Sequence, residues 1–268
     1  MPWRFPRSLG WGIVNDVLAP DSLRGVRALI TGSSRGIGAD TAGYLAAAGA
    51  KVVINYRNKE ARALKVVAGI EERGGEAIAI GADLTDPASV ATMLAEVRER
   101  WGGLDLLVLN ASGGMESGVG EDYAMRLNRD AQVNVLDAAL PLLGPGSRIV
   151  FVTSHQAHFI ETVPTMPEYE PVARSKRAGE DALRARIPEL EAAGVSFVVV
   201  SGDMIEGTIT ATLLERVNPG AIQSRREAAG KLYNVSEFAA EVARAAVEQI
   251  PADHTRYVGD VSDFVAQG

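Results

Sequence analysis

Residues 26–38 read "VRALITGSSRGIG": a short apolar run, a turn with glycines at 32, 36 and 38, and the start of a helical pattern. Glycines in such a turn let the backbone approach a pyrophosphate, and the helix that follows offers free N–H groups and a positive dipole end. The spacing is GxxxGxG rather than GxGxxG, and a glycine cluster by itself is equally a tight strand-to-helix turn. Its place in the chain separates the two readings.

Downstream, apolar runs alternate with helical patterns almost without a break. "KVVINY" (51–56), "EAIAIGADL" (76–84), "LDLLVLN" (104–110), "SRIVFVTS" (147–154), "VSFVVVSG" (195–202) and "TRYVGD" (255–260) read as strands. Segments such as "ASVATMLAEVRERWGG" lie between them with apolar residues every three or four positions. That alternation predicts βαβ units and a parallel sheet buried on both faces. No repeat or Pro-rich linker divides the chain, so one α/β domain is expected over residues 22–268, after an N-terminal extension, 1–21. In that domain the glycine turn occupies the first βα connection, which favours the phosphate-binding reading.

The 27 Lys and Arg against 34 Asp and Glu leave a net charge of −7, which argues against nucleic acid or an anionic membrane as partner. Cysteine is absent, so thiolate metal sites and a cysteine nucleophile are excluded, and no metal site is expected. No apolar run approaches the roughly 18 residues of a membrane span. The first 20 residues lack the apolar core of a signal peptide, so the expected location is cytoplasmic.

Where a carboxylate would bind the ribose of NAD, about 20 residues beyond the glycines, stands Tyr56, between Asn55 and Arg57. Arg35 is available from the glycine turn. Two guanidiniums with no carboxylate suit the 2′-phosphate of NADP, since Arg pairs with phosphate through forked hydrogen bonds.

These segments together resemble the short-chain dehydrogenase/reductase family, especially its 3-oxoacyl-carrier-protein reductase branch, over roughly residues 22–260. The resemblance implies a single-domain Rossmann fold: a doubly wound parallel sheet of about seven strands with helices on both faces. It also implies NADP(H)-dependent interconversion of a carbonyl and an alcohol, a small-molecule substrate, and a homodimer or homotetramer. "TGSSRGIG" is similar to the family's TGxxxGxG turn, placing Gly32, Ser34, Arg35, Gly36, Ile37 and Gly38 at the cofactor, with Tyr56 and Arg57 beyond. "GADLTD" supplies Asp83 for the adenine, with Leu84 beside it. "LVLNASGG" resembles the NNAG motif through Asn110, Ala111 and Ser112, although Leu109 replaces the first asparagine and Ser112 the glycine. Asn128, counted back from Pro141, takes the place of the active-site asparagine, and Ser154 that of the catalytic serine. Lys176 matches the lysine of the YxxxK signature, which binds the nicotinamide ribose and lowers the tyrosine pKa.

The tyrosine of that signature is missing: its position is Val172, which has no proton to give. Tyr169 is the candidate replacement. Seven residues of helix turn through about 700°, so Tyr169 and Lys176 can share a face, about 10 Å apart along the axis. Pro171 favours a helix start there, which leaves Tyr169 in the preceding loop. His155 and His158 are further acid candidates, with a structural role as the competing reading for each. Neither fits a Ser–His–Asp hydrolase, because Ser154 lacks a GxSxG elbow. Asp203, Glu206 and Thr208, after the sixth strand, are candidate cofactor or substrate contacts or simply loop residues, and Ser236 is a candidate helix cap. The alternative to an enzyme is a non-catalytic NADP-binding sensor or scaffold; a non-redox reaction with bound cofactor is a third reading.

Overall fold

Ala28, Leu29 and Ile30 have no exposed surface, and neither do Val52, Val53 and Ile54. Strands buried on both faces belong inside a parallel sheet covered by helices. The computed structural model, which describes residues 17–116, 118, 120 and 122–265, has that sheet. Its strands are β1 (Arg27–Ile30), β2 (Lys51–Tyr56), β3 (Glu76–Gly81), β4 (Leu104–Leu109), β5 (Leu143–Ser154), β6 (Ser196–Gly202) and β7 (Thr255–Val258). All pair in parallel in the order β3-β2-β1-β4-β5-β6-β7. The strand order reverses between β1 and β4, so their carboxyl ends open a crevice where α/β sheets take ligands.

The connecting helices are α1 (Gly36–Ala47), α2 (Glu60–Glu71), α3 (Pro87–Trp101), α4 (Tyr123–Met125), α5 (Ala131–Ala139), α6 (His155–His158), α7 (Glu170–Arg184), α8 (Ile187–Ala192), α9 (Ile209–Val217), α10 (Ala221–Ala229), α11 (Val235–Ala245) and α12 (Ser262–Val265). One core joins α1, α2 and α11 to one face of the sheet through residues such as Leu45, Ile70 and Phe238. A second joins α3, α5, α7 and α8 to the other face through Met93, Val135, Leu183 and Leu190. A third, smaller cluster lies beyond β5 and β6 and includes Tyr169, Val172, Met204 and Leu214. Among the described residues no helix is long and apolar enough to cross a membrane.

Several boundaries differ from the sequence reading. β5 starts at Leu143 rather than Ser147, and β3 stops at Gly81, so Ala82–Leu84 leave the sheet and reach the crevice. The cap of α11 is Asn234, not Ser236. The Asn234 side chain accepts from the Glu237 N–H, Glu237 reaches back to the Asn234 N–H, and Ser236 bonds the Tyr44 hydroxyl at 2.8 Å instead. Residues 1–16, most of the expected extension, lie outside the described residues. Val17 and Leu18 already pack on the first core, ahead of the expected domain start at 22.

Candidate active site

The glycine turn is held from below by side chains. Thr31 Oγ1 accepts from the N–H groups of Asn110 (2.9 Å) and Ala111 (3.1 Å), and Asn110 Nδ2 donates to the Thr31 carbonyl at 2.9 Å. Asn55 Oδ1 accepts from the Gly32 N–H at 3.0 Å, which commits Asn55 to the turn. Gly36 sits at φ +59°, where other residues are strained. Gly38 is required for another reason: a Cβ there would stand 2.6 Å from Asn110 Nδ2 and 2.9 Å from Ser33 Cα. No side chain caps the N-terminus of α1, so its first N–H groups remain available to an anion.

Every residue expected at the cofactor except Lys176 lines one groove of about 620 Å³ running from this turn along β2 and β4. Lys59 and Arg62 join Arg35 and Arg57 on its wall. They went unnoticed in the sequence, although both follow Arg57 closely, Lys59 at the cap of α2 and Arg62 in its first turn. Burial, and then the neighbouring Arg62 charge, push the Arg35 guanidinium below its ordinary value, with Glu116 partly offsetting them. Crowded cations of this kind suit a polyanion. Arg57 is steadied by Tyr123, donating to its hydroxyl with its guanidinium 5.7 Å from the ring centre. Tyr56 also lines the groove, but its hydroxyl donates to Glu60 (3.1 Å). Glu116 is a carboxylate on this wall that the sequence reading did not place, tied to the Gly114 N–H at 2.6 Å. Asp83 accepts from the N–H and hydroxyl of Thr85.

Asn128 sits in a π-helical segment, Arg126–Asp130, between α4 and α5. Such bulges recur at functional sites because they re-aim side chains within a helix. Its amide donates to the Gly113 carbonyl (2.8 Å) and Ser175 Oγ (2.9 Å) and accepts from the Gly113 N–H (3.1 Å). Asn128 thereby ties the loop after β4 to α7. A Cβ at Gly179 would lie 2.0 Å from the Asn128 carbonyl oxygen, so α7 packs closely there.

At the end of β5 the displaced tyrosine meets the serine. Tyr169 is the residue immediately before α7, with Pro171 in the first turn, as expected. Its hydroxyl lies 3.1 Å from Ser154 Oγ, and both residues are buried. Position 169 is three residues from 172, one helical turn earlier and about 60° around the axis, so the two positions face the same way. Val172 is buried in the same apolar cluster, beside Gly114. Lys176 is buried and makes no hydrogen bond or ion pair among the described residues. Ser154 and Tyr169 line a chamber of about 90 Å³ whose other walls include Met204, Leu214 and Phe238.

The histidines are committed elsewhere. His155 Nε2 lies 3.2 Å from the Val258 carbonyl, which can only accept, so Nε2 carries the proton and Nδ1 accepts from Ser201 Oγ at 2.8 Å. Burial pushes its pKa down to about 4. His158 joins Glu180 (2.8 Å) and the Tyr257 hydroxyl (3.1 Å). Neither histidine lines the chamber with Ser154. Glu206 pairs with Arg226 at 2.6 Å, whereas Asp203 and Thr208 do line the chamber.

The sequence matches the short chain dehydrogenase family over residues 27–218. It is 35% identical over 198 residues, 72% of either chain, to the short chain dehydrogenase/reductase AacuN of Aspergillus aculeatus. A short chain dehydrogenase from Burkholderia cenocepacia J2315, solved in complex with NADP, aligns with a TM-score of 0.74 at 32% identity, covering 88% of this chain and 97% of that one. The angucycline C-6 ketoreductase LanV, solved with bound NADP, aligns with a TM-score of 0.69 at 28% identity, covering 84% and 90%. This chain belongs to the short-chain dehydrogenase/reductase family.

Proposed function

We propose that the protein is an NADP(H)-dependent oxidoreductase interconverting a carbonyl and an alcohol, with Tyr169 as its acid–base group in place of the tyrosine absent from position 172. The observation that carries this reading is the buried hydrogen bond between the Tyr169 hydroxyl and Ser154 Oγ, 3.1 Å long. The groove fits the cofactor on three counts. Gly38 leaves a gap that a Cβ would fill, the N-terminus of α1 is uncapped, and Arg35, Arg57 and Arg62 concentrate positive charge on one wall. Those guanidiniums favour a 2′-phosphate, and the NADP held by both solved relatives points the same way. Lys176, buried and without a side-chain partner among the described residues, is the group for the nicotinamide ribose.

NADPH bound in this groove supplies the hydride for reduction. The protein supplies the rest. Ser154 and Tyr169 direct their hydroxyls at the substrate oxygen, and Tyr169 yields its proton as that oxygen gains negative charge; in the oxidative direction it takes the proton back. Asn128 keeps the loop after β4 in register with α7. The chamber's apolar walls exclude water, which strengthens both hydrogen bonds.

The test follows NADPH oxidation with a panel of ketones and aldehydes. Turnover is expected, and Tyr169→Phe lowers kcat by about 100- to 10,000-fold, the usual worth of a positioned acid, while NADPH still binds. Binding of NADPH with no oxidation by any carbonyl would transfer the chain to the sensor or scaffold reading.

A further inference from the structure

Gln156 lies two residues beyond Ser154 and is 8% exposed. It lines both the small chamber holding Ser154 and Tyr169 and a second cavity of about 420 Å³, bounded by the 163–166 loop and by α10. Its amide nitrogen donates to Asp203 Oδ1 at 2.5 Å. That orientation is imposed by chemistry. The Asp203 carboxylate takes Arg225 Nε on both oxygens (2.9 and 2.8 Å) and the Met204 N–H at 2.7 Å, and a carboxylate in such a pair only accepts. The amide must therefore turn its N–H₂ to Asp203. Its carbonyl oxygen is left with no hydrogen-bond partner among the described residues, and it is not sealed among the buried unpaired atoms.

An unpartnered acceptor on an amide fixed by Asp203, in a residue that lines both the reacting chamber and the larger cavity, selects for a donor. We infer that Gln156 is a specificity-determining residue whose carbonyl oxygen accepts a hydrogen bond from a substrate hydroxyl, so that the substrates are hydroxylated ketones carrying that hydroxyl close to the reacting carbonyl. This inference rests on the carbonyl-reductase reading above. Asp203 and Arg225 are positioning residues: they hold the amide so that only its acceptor faces the substrate. Met166, which lines both cavities, supplies an adaptable apolar surface for the ring or chain between the two polar groups.

The experiment compares tetralone with its monohydroxylated ring isomers, using wild type and Gln156→Met, a variant of similar size with no acceptor. At least one isomer should exceed the parent ketone in kcat/KM by about three- to tenfold with wild type, the worth of one neutral hydrogen bond. The ratio should fall to near one in Gln156→Met. A purely structural role for Gln156 would lower the rate with every ketone and leave the ratio standing, and that result overturns the assignment, as does a wild type that prefers no isomer. If wild type oxidises no NADPH with any of these compounds, the reductase reading fails by itself. Dissociation constants of the same isomers, measured by calorimetry on both proteins, then decide the assignment: equal constants for parent and hydroxylated ketones overturn it.

Discussion

Gly38 and Tyr169 line adjoining parts of one crevice, and they differ in how far the chain can shift them. Around Gly38 the backbone itself does the binding. The room left by the missing Cβ is bounded by Ser33, Gly32 and Asn110, and those are pinned by Thr31 and Asn55. A residue one position away cannot stand in for that gap. At the start of α7 the requirement is only that one hydroxyl reach Ser154, and a tyrosine side chain is long enough to do so from one turn earlier. Where backbone makes the site the motif is rigid; where a side-chain tip makes it, the motif can slide.

The sharpest way to break that contrast is to put the tyrosine back. Val172→Tyr in the Tyr169→Phe background restores the family's spacing to Lys176. If position matters only through the hydroxyl, the 100- to 10,000-fold loss in kcat should be regained. The surroundings predict otherwise. Val172 is 4% exposed and packed in the Tyr169 cluster beside Gly114, so a ring there overfills the core and destabilises the protein by about 1–3 kcal/mol. The double variant should remain within tenfold of Tyr169→Phe in kcat and unfold at lower temperature. Full rescue would show that the site retains room for the family arrangement.

The next effect concerns His155, whose ring packs against Phe159, Tyr257 and Phe264. Its folded pKa, about 4, lies below the ordinary 6.5 because burial disfavours the imidazolium. Between those values the unfolded chain binds a proton that the folded chain refuses, so stability rises with pH across the window. The contribution is fully present above pH 6.5 and is lost as the pH falls toward 4, about 3 kcal/mol in all. Urea unfolding from pH 7 to pH 4 should show this slope, and His155→Gln, which keeps a donor and an acceptor, should flatten it. Glu180 is a separate case. Burial would raise its pKa, but His158 and Arg184 outweigh that and hold it low, so its contribution is lost only as pH falls through its folded value, and it persists in both proteins.

The same contrast governs what could be read in the sequence. Period and composition gave the strands because buried β-branched runs have few other homes, and the glycine turn gave the groove because its backbone demands are written as residue types. Tyr169 was legible as a candidate because it lies seven residues before Lys176, close to two helical turns, and Pro171 marked the helix start just after it. Its bond to Ser154 was not legible, since it depends on how the 155–168 loop folds back. Gln156 was invisible for a related reason: its meaning comes from Asp203, brought beside it by the pairing of β5 with β6, and from Arg225 on α10, both distant in sequence. The two histidines were open in sequence between an acid and a structural role, and only the fold supplies the partners, on β6 and β7 and on α7, that commit them elsewhere. Asn234 was passed over as a cap for Ser236, although Glu237 three residues beyond it completes the capping-box pattern.

A smaller effect tests the rigid half. Gly38→Ala places a Cβ where Asn110 Nδ2 and the Ser33 backbone already stand. Asn110 can give only by stretching its 2.9 Å bond to Thr31, and Ser33 cannot move without the turn. The overpacking costs about 1–3 kcal/mol. It should appear as a lower melting temperature, and the Cβ in the gap should also weaken NADPH binding, read as a larger dissociation constant. The chamber around Ser154 should keep its ketone preferences in the residual activity at saturating NADPH. Loss of those preferences would mean the two halves of the crevice are not independent.

The smallest effect decides which cation reads the cofactor's extra phosphate. Arg57 is braced by Tyr123, which limits how far its guanidinium can swing, whereas Arg35 and Arg62 repel one another on the same wall. A braced guanidinium loses less rotamer freedom on binding, so it should contribute more per hydrogen bond than a free one. Arg57→Ala removes one charge-assisted contact while two guanidiniums and Lys59 remain to share the phosphate. NADPH binding should weaken by about tenfold, the low end for a hydrogen bond to a charged group. NADH, which has no 2′-phosphate, should bind as before. If NADH weakens equally, Arg57 serves the dinucleotide backbone instead, and the reading of the 2′-phosphate passes to Arg35 and Arg62. Tyr123→Phe sharpens the answer: it leaves the charge in place and removes only the brace, so a loss confined to NADPH there would assign discrimination to the geometry of Arg57 as well as to its charge.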